Sequence, residues 1–163
     1  MPSDLYVIDT SALVDLRPYP IDVFKTLWTN IEQLVRTNLL ISSEQVLEEL
    51  KKQDDEILRW AKKHRKIFKP LSAAQIQEVK KIEAAYPELV DANKETPDAD
   101  PFVIALALEK DPQQTLISFN NKRIVVAQER LKSNKINIPF VCQDYGIECI
   151  AIVDLFRRES WKF

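Results

Sequence analysis

Three short apolar runs in this chain are continuous rather than alternating: Leu5-Tyr6-Val7-Ile8, Leu39-Leu40-Ile41 and Ile124-Val125-Val126. A strand that is apolar on both faces must be covered on both faces, which is the habit of parallel sheets enclosed by helices. Ile147 to Ile152 is a further strand candidate, and Thr115 to Phe119 reads as a short strand or hairpin arm. Between these runs the apolar period changes to 3.6. Ile21, Phe24, Leu27, Trp28, Ile31, Leu34 and Val35 predict an amphipathic helix beginning near Pro20. That stripe is better explained as core than as the face of a homodimer.

Ser42 and Gln45 form a capping box that opens a helix with Val46, Leu47 and Leu50 turned inward. Asp54, Asp55 and Glu56 suit the start of the next helix, which carries Ile57, Leu58, Trp60 and Ala61. Ser72 and Gln75 repeat the cap before the stripe Ile76, Val79, Ile82 and Tyr86, and Pro87 to Pro97 reads as an acidic loop. Asp100 is placed to cap a helix whose first position is Pro101. Phe102 to Leu108 is apolar nearly all round, so this helix belongs at the centre of the molecule. Arg130 to Asn137 is a polar linker, Pro139 to Tyr145 a short helix with Gly146 as its C-cap, and Val153 to Trp161 a last helix. The expected fold class is α/β: a three-layer sandwich with a central, mostly parallel sheet flanked by helices, forming a single domain over 1–163.

Composition excludes several chemistries. With one glycine, Gly146, the chain has neither a P-loop nor a dinucleotide fingerprint. The lone His64 sits in a basic run without an acid or nucleophile beside it in sequence, so nothing local supports a Ser-His-Asp or Cys-His arrangement. Cys142 and Cys149 lack zinc spacing, and their apolar flanks suit buried free thiols. No apolar stretch approaches the roughly 20 residues of a bilayer span. With Met1-Pro2-Ser3-Asp4 in front and no basic n-region, the expectation is a cytoplasmic chain without membrane contact. Net charge is −2, so the whole surface is no magnet for nucleic acid. Basic residues are nonetheless clustered at Arg59, Lys62, Lys63, Arg65, Lys66 and Lys69, and again at Arg157, Arg158 and Lys162.

What remains plentiful is carboxylate. Asp9 follows the first buried strand directly, and a charge there must be hydrogen-bonded, paired or metal-bound. It also suits a cap for the following residues, with Ser11 helping. Glu49 lies in the helix after the second run, beside Glu48, which suits a solvent-facing partner for Lys51 or Lys52. Asp98 and Asp100 flank Ala99 before the apolar helix, and Glu129 repeats after the Ile124 strand the pattern of Asp9. Hard divalent cations prefer carboxylate oxygens, and open parallel sheets place ligands at the carboxyl ends of their strands. An aspartyl-phosphate phosphatase would need an acid two residues after Asp9, where Ser11 stands. A receiver domain would need an acidic pair after the first strand and a lysine after the last, and neither is evident.

The ordered set Val7-Ile8-Asp9-Thr10-Ser11, Val46-Leu47-Glu48-Glu49-Leu50, Asp100 before Phe102-Val103-Ile104-Ala105-Leu106-Ala107, and a strand ending in an acid resembles the PIN domain across nearly the whole chain. Ile138-Pro139-Phe140-Val141-Cys142 followed by Gly146-Ile147-Glu148-Cys149-Ile150 is similar to an uncharacterised PIN-like branch found mainly in prokaryotes. The resemblance implies a metal-dependent endoribonuclease in the style of the toxins of toxin–antitoxin modules. It carries the catalytic acids to Asp9, Glu49, Asp100 and Glu129, with Asp98 as a reserve metal ligand, and it implies Mg²⁺ or Mn²⁺ as cofactor. Ser11 matches a polar residue lining such sites. Implied partners are single-stranded or structured RNA, an antitoxin protein and a second copy of the chain. Lys122, Arg123, Arg130 and Lys132 would guide RNA into the cleft. Two departures stand: Ala127 occupies the place of a Thr or Ser two residues before the last acid, and an alternative alignment ends the strand at Ser118-Phe119-Asn120, replacing that acid by an amide. A non-catalytic PIN-like scaffold that binds RNA or protein is the alternative reading.

Overall fold

A computed structural model describes residues 4–90, 98–109, 122–129 and 136–163. Its centre is a five-stranded sheet in the order β3-β2-β1-β4-β5. The strands are β1 Leu5–Ile8, β2 Leu40–Ser43, β3 Phe68–Lys69, β4 Arg123–Val126 and β5 Cys149–Ile150. Every pairing is parallel, with Ile8 opposite Val126 and Val7 opposite Ile41. Tyr6, Val7, Ile8 and Ile124 to Val126 are buried on both faces, as their unbroken apolar runs require.

Helices cover both sides, and the architecture is the expected three-layer α/β sandwich. α1 (Thr10–Val14), α2 (Lys25–Arg36), α3 (Glu44–Leu50) and α4 (Glu56–Lys63) belong to the β1→β2→β3 crossovers. α5 (Ala73–Ala85) and α6 (Asp100–Leu108) belong to the β3→β4 crossover, α7 (Ile138–Tyr145) joins β4 to β5, and α8 (Ile152–Arg158) follows β5. Right-handed crossovers running one way along the sheet and then the other put these two groups on opposite faces. α6 is the hub: it lies on β1, β2 and β4 and touches α5 and α7. Pro101 to Ala105 are buried through it, with Val103 and Ile104 at 0% exposure. Ile104→Ala is therefore expected to destabilise the fold by about 2–5 kcal/mol. A lowered urea midpoint with an unchanged slope would show it.

Local chemistry sets the element ends, and several differ from expectation. The stripe read from Pro20 begins as a helix only at Lys25: Pro20 to Val23 form a turn, and Phe24, at φ −99 and ψ 53, leaves the helical region. Phe24 is 37% exposed and Ile21 is half-buried, while Leu27, Trp28, Ile31, Leu34 and Val35 do face the core. Ser42 is a buried strand residue rather than a cap, because its hydroxyl donates to the Ile8 carbonyl at 2.6 Å. The cap of α3 is Ser43, which accepts from the Gln45 amide at 3.3 Å. Ser72 caps α5 through the Gln75 amide as expected, but Ile76 is 40% exposed. Ala99 rather than Asp100 is the N-cap residue of α6, and Asp100 lies in its first turn. Gly146 ends α7 in the left-handed region at φ 69, where a side chain would be strained.

The strand expected over Ile147 to Ile152 is shorter, Cys149–Ile150, because Ile147 is engaged by the end of α7 through its amide to the Cys142 carbonyl. The short edge strand β3 gave no periodic signal and was not expected. The suggested element at Thr115 to Phe119 lies outside the described residues. Among the described residues no helix is long and apolar enough to cross a membrane.

Candidate active site

The strand order reverses between β1 and β4, since β1 continues outward to β2 and β4 to β5. At such a switch point the loops leaving two neighbouring carboxyl ends diverge and open a crevice. Here it holds a cavity of about 440 Å³ lined by Asp9, Thr10, Ser11, Glu49, Asp98, Asp100 and Glu129, together with Glu88, Leu89 and Val90. The acids read from the sequence are thus brought together from four different parts of the fold.

Asp9 follows β1 and caps α1. Its Oδ2 accepts from the Ser11 amide at 3.1 Å and from the Ser11 hydroxyl at 2.7 Å. The other oxygen, Oδ1, is buried and has no hydrogen-bond partner. Ser11 does double duty, because its Oγ also accepts from the Gln128 amide at 3.0 Å and so ties the end of β1 to the loop after β4. The Gln128 side chain in turn accepts from the Ile152 amide at 2.7 Å, serving a helix start that Ala151 cannot cap.

Glu49 reaches the cleft from the last turn of α3, and its Oε1 accepts from the Ala99 amide at 2.7 Å. Glu129 accepts through Oε2 from the Ile138 amide at 3.2 Å, at the start of α7. Each acid therefore holds a helix N-terminus, where a carboxylate is favoured by the exposed N–H groups and the helix dipole. Asp100, in the first turn of α6, and Asp98 complete the group.

The electrostatics follow from burial and crowding. Burial raises the Asp9 carboxyl from 3.8 to about 6, with Glu49 and Glu129 adding repulsion and the two Ser11 hydrogen bonds opposing the rise. Burial likewise pushes Asp100 up to about 8, helped by the charges of Asp9, Glu129, Glu49 and Asp98. Among the described residues lining the cavity none is basic. An orphaned buried carboxylate oxygen in a crowd of acids without a lysine or arginine is the donor set that a hard divalent cation satisfies. Among the described residues no three His, Cys, Asp or Glu side chains are grouped so as to hold a metal ion. One oxygen of Glu49 and one of Glu129 are held by backbone amides.

The basic residues fare differently. Lys122 and Arg123 stand at the amino end of β4, the end of the sheet away from the cavity. Lys122 pairs with Glu148 at 2.5 Å, and Arg123 donates to the Leu106 carbonyl at 2.7 Å. They are too distant along the strand to guide a substrate into this cleft. Arg130, Lys132 and the alternative Asn120 lie outside the described residues, whereas Glu129 is placed in the cleft. Glu48 pairs with Lys51 at 2.8 Å, as read from the sequence. Of the two cysteines, both free thiols, Cys142 is buried and Cys149 only partly so.

Sequence reasoning missed Thr10, Glu88, Leu89, Val90 and Gln128. Thr10 is marked only by following Asp9. The segment 88–90 carries no periodic or motif signal and reaches the cleft through a single 3₁₀ turn, Pro87–Leu89.

A family model described as a domain of unknown function, DUF4411, matches residues 6–163. The chain belongs to the DUF4411 family. No curated protein and no solved structure matches it. The DUF4411 match covers the sheet from Tyr6 onward and every residue of the carboxylate cleft, so the cleft is built wholly within the family's own domain.

Proposed function

We propose that this DUF4411 chain is a metal-dependent endoribonuclease with PIN-like architecture, hydrolysing RNA phosphodiester bonds in the carboxylate cleft. The observation that carries the reading is Asp9 Oδ1, buried and unpartnered beside Glu49, Asp98, Asp100 and Glu129 at the switch point of a parallel sheet. Asp9, Glu49 and Asp100 would hold Mg²⁺ or Mn²⁺, with Glu129 and Asp98 completing the shell. When bound, such a cation activates water for in-line attack and neutralises charge on the leaving oxygen. The protein's own part is positioning. Ser11 fixes the Asp9 rotamer, the α6 amide at Ala99 orients Glu49, and the α7 amide at Ile138 orients Glu129. No histidine base or covalent nucleophile is needed, which suits a chain whose lone histidine, His64, follows α4 and faces Glu32 at 3.6 Å. A toxin role would add an antitoxin protein as partner.

A second reading, a scaffold that binds RNA or protein without cleaving, draws on one observation: among the described residues no three of the acids are grouped so as to hold a metal ion. Incubating the protein with a mixed RNA pool separates the two. Cleavage is expected with Mg²⁺ or Mn²⁺ and none with EDTA. Intact RNA under every metal condition would leave the scaffold, and cleavage indifferent to EDTA would remove the metal mechanism.

A further inference from the structure

We propose that the hydroxyl of Thr10 is the cleft's own hydrogen-bond donor to a bound phosphoryl group, so that the site recognises its ligand as a phosphate ester through a non-bridging oxygen. The inference rests on reading the cleft as a phosphodiester site. Thr10 opens α1 and lines the cavity, directly after Asp9 in the chain. Its Oγ1 is buried and has no hydrogen-bond partner, the same condition as Oδ1 of Asp9. A buried hydroxyl left unpaired costs stability, so two such atoms on consecutive residues of one cavity point to a ligand. The fold explains why Thr10 finds no partner within the chain. A threonine inside a helix can satisfy its hydroxyl on the carbonyl three or four residues back. Thr10 is the first residue of its helix, and the residues at those positions, Val7 and Tyr6, belong to β1.

The other lining groups decide what that ligand is. The Ser11 hydroxyl is already committed: its proton goes to Asp9 Oδ2 and its oxygen accepts from the Gln128 amide. The remaining polar side chains lining the cavity are carboxylates, and Leu89 and Val90 are apolar. Ionised around a cation, carboxylates only accept hydrogen bonds. Among the described lining residues Thr10 therefore holds the one uncommitted hydroxyl proton. A sugar hydroxyl can donate to any of those carboxylates and has little need of Thr10. A phosphoryl oxygen cannot donate, and each one that the cation leaves free needs a donor. The β-branched side chain of Thr10 has few χ1 rotamers, so its hydroxyl is held in place before the ligand arrives.

The test titrates the full chain, in Mg²⁺, with uridine 5′-monophosphate, which carries the phosphoryl group but no diester bond to cleave, and with uridine as the control. The monophosphate is expected to bind the wild type and Thr10→Ser alike, and Thr10→Val about tenfold more weakly. Uridine should bind none of them measurably. Should Thr10→Val fail to fold, Thr10→Ala carries the same comparison. Mn²⁺ affinity, titrated without nucleotide, should be the same in every variant, which separates a donor to phosphate from a metal ligand. Equal monophosphate affinity in wild type and Thr10→Val, no monophosphate binding by the wild type, uridine binding as tight as the monophosphate, or a parallel loss of Mn²⁺ affinity would overturn the proposal. Cleavage of RNA by the wild type is scored separately. Thr10-dependent binding without cleavage keeps the proposal and fails the hydrolytic reading, whereas cleavage with Thr10-independent binding does the reverse.

Discussion

Asp9→Asn protein is expected to lose divalent-cation-dependent RNA cleavage by about a hundredfold or more, because the substitution removes the anionic oxygen that the cleft leaves without a partner. The same change should not harm the fold. Asparagine keeps an oxygen for the Ser11 amide and hydroxyl, so the cap of α1 survives. It also removes a buried charge that Glu49 and Glu129 repel. The variant is thus expected to be at least as stable as the wild type at pH 8 without metal. Asp100→Asn should behave alike, since Asp100 lies deepest in the mutual repulsion. Cleavage equal to wild type in both variants would place the activity elsewhere or in a contaminant. A large loss of metal-free stability would show that these acids are structural first.

The second large effect is a stability curve that runs against the usual carboxylate trend. Asp9 is raised from 3.8 to about 6 and Asp100 to about 8, chiefly by burial. Between pH 4 and pH 8 the unfolded chain releases these protons before the native protein does. The native state then binds more protons, so stability falls as pH rises through that window. At about 1.4 kcal/mol per unit of pKa difference, the metal-free protein should lose several kcal/mol from these two groups. A divalent cation that binds only the folded cleft reverses the loss. At a concentration a hundred times its Kd it contributes about 2.7 kcal/mol, a rise in melting temperature of about 5–11 °C. Scanning calorimetry at pH 5 and pH 8, with EDTA and with Mg²⁺ or Mn²⁺, checks both signs. A melting temperature that rises with pH in EDTA, or ignores the cation at pH 8, would contradict the electrostatic account.

The sheet and its enclosing helices were legible because burial on both faces leaves a direct mark: runs such as Ile124-Val125-Val126 have no polar residue to spare. The buried hub helix was legible for the same reason. Asp9 and Glu129 could be assigned to one place through the fold, since each follows a strand at its carboxyl end, whereas Glu49 and Asp100 joined them through the family resemblance. Boundaries were less legible where one polar atom decides them. Ser42 extends β2 because a carbonyl is waiting for its hydroxyl, which no local pattern announces. Glu88 and Val90 reach the cleft through a single turn, and nothing in their neighbourhood marks that approach. Lys122 and Arg123 are the opposite case: their charge suits RNA, but they stand at the amino end of β4, which the length of the strand separates from the cleft.

The central pairing of β1 with β4 joins residues that stand more than a hundred positions apart, as with Leu5 and Arg123. During synthesis β1 leaves the ribosome early and must wait for its second neighbour until about three quarters of the chain has emerged. Glu129 follows β4 directly, so the carboxylates cannot assemble before then. Whatever hydrolytic power the finished protein holds is absent from the nascent chain, during the period when it is surrounded most closely by ribosomal and messenger RNA.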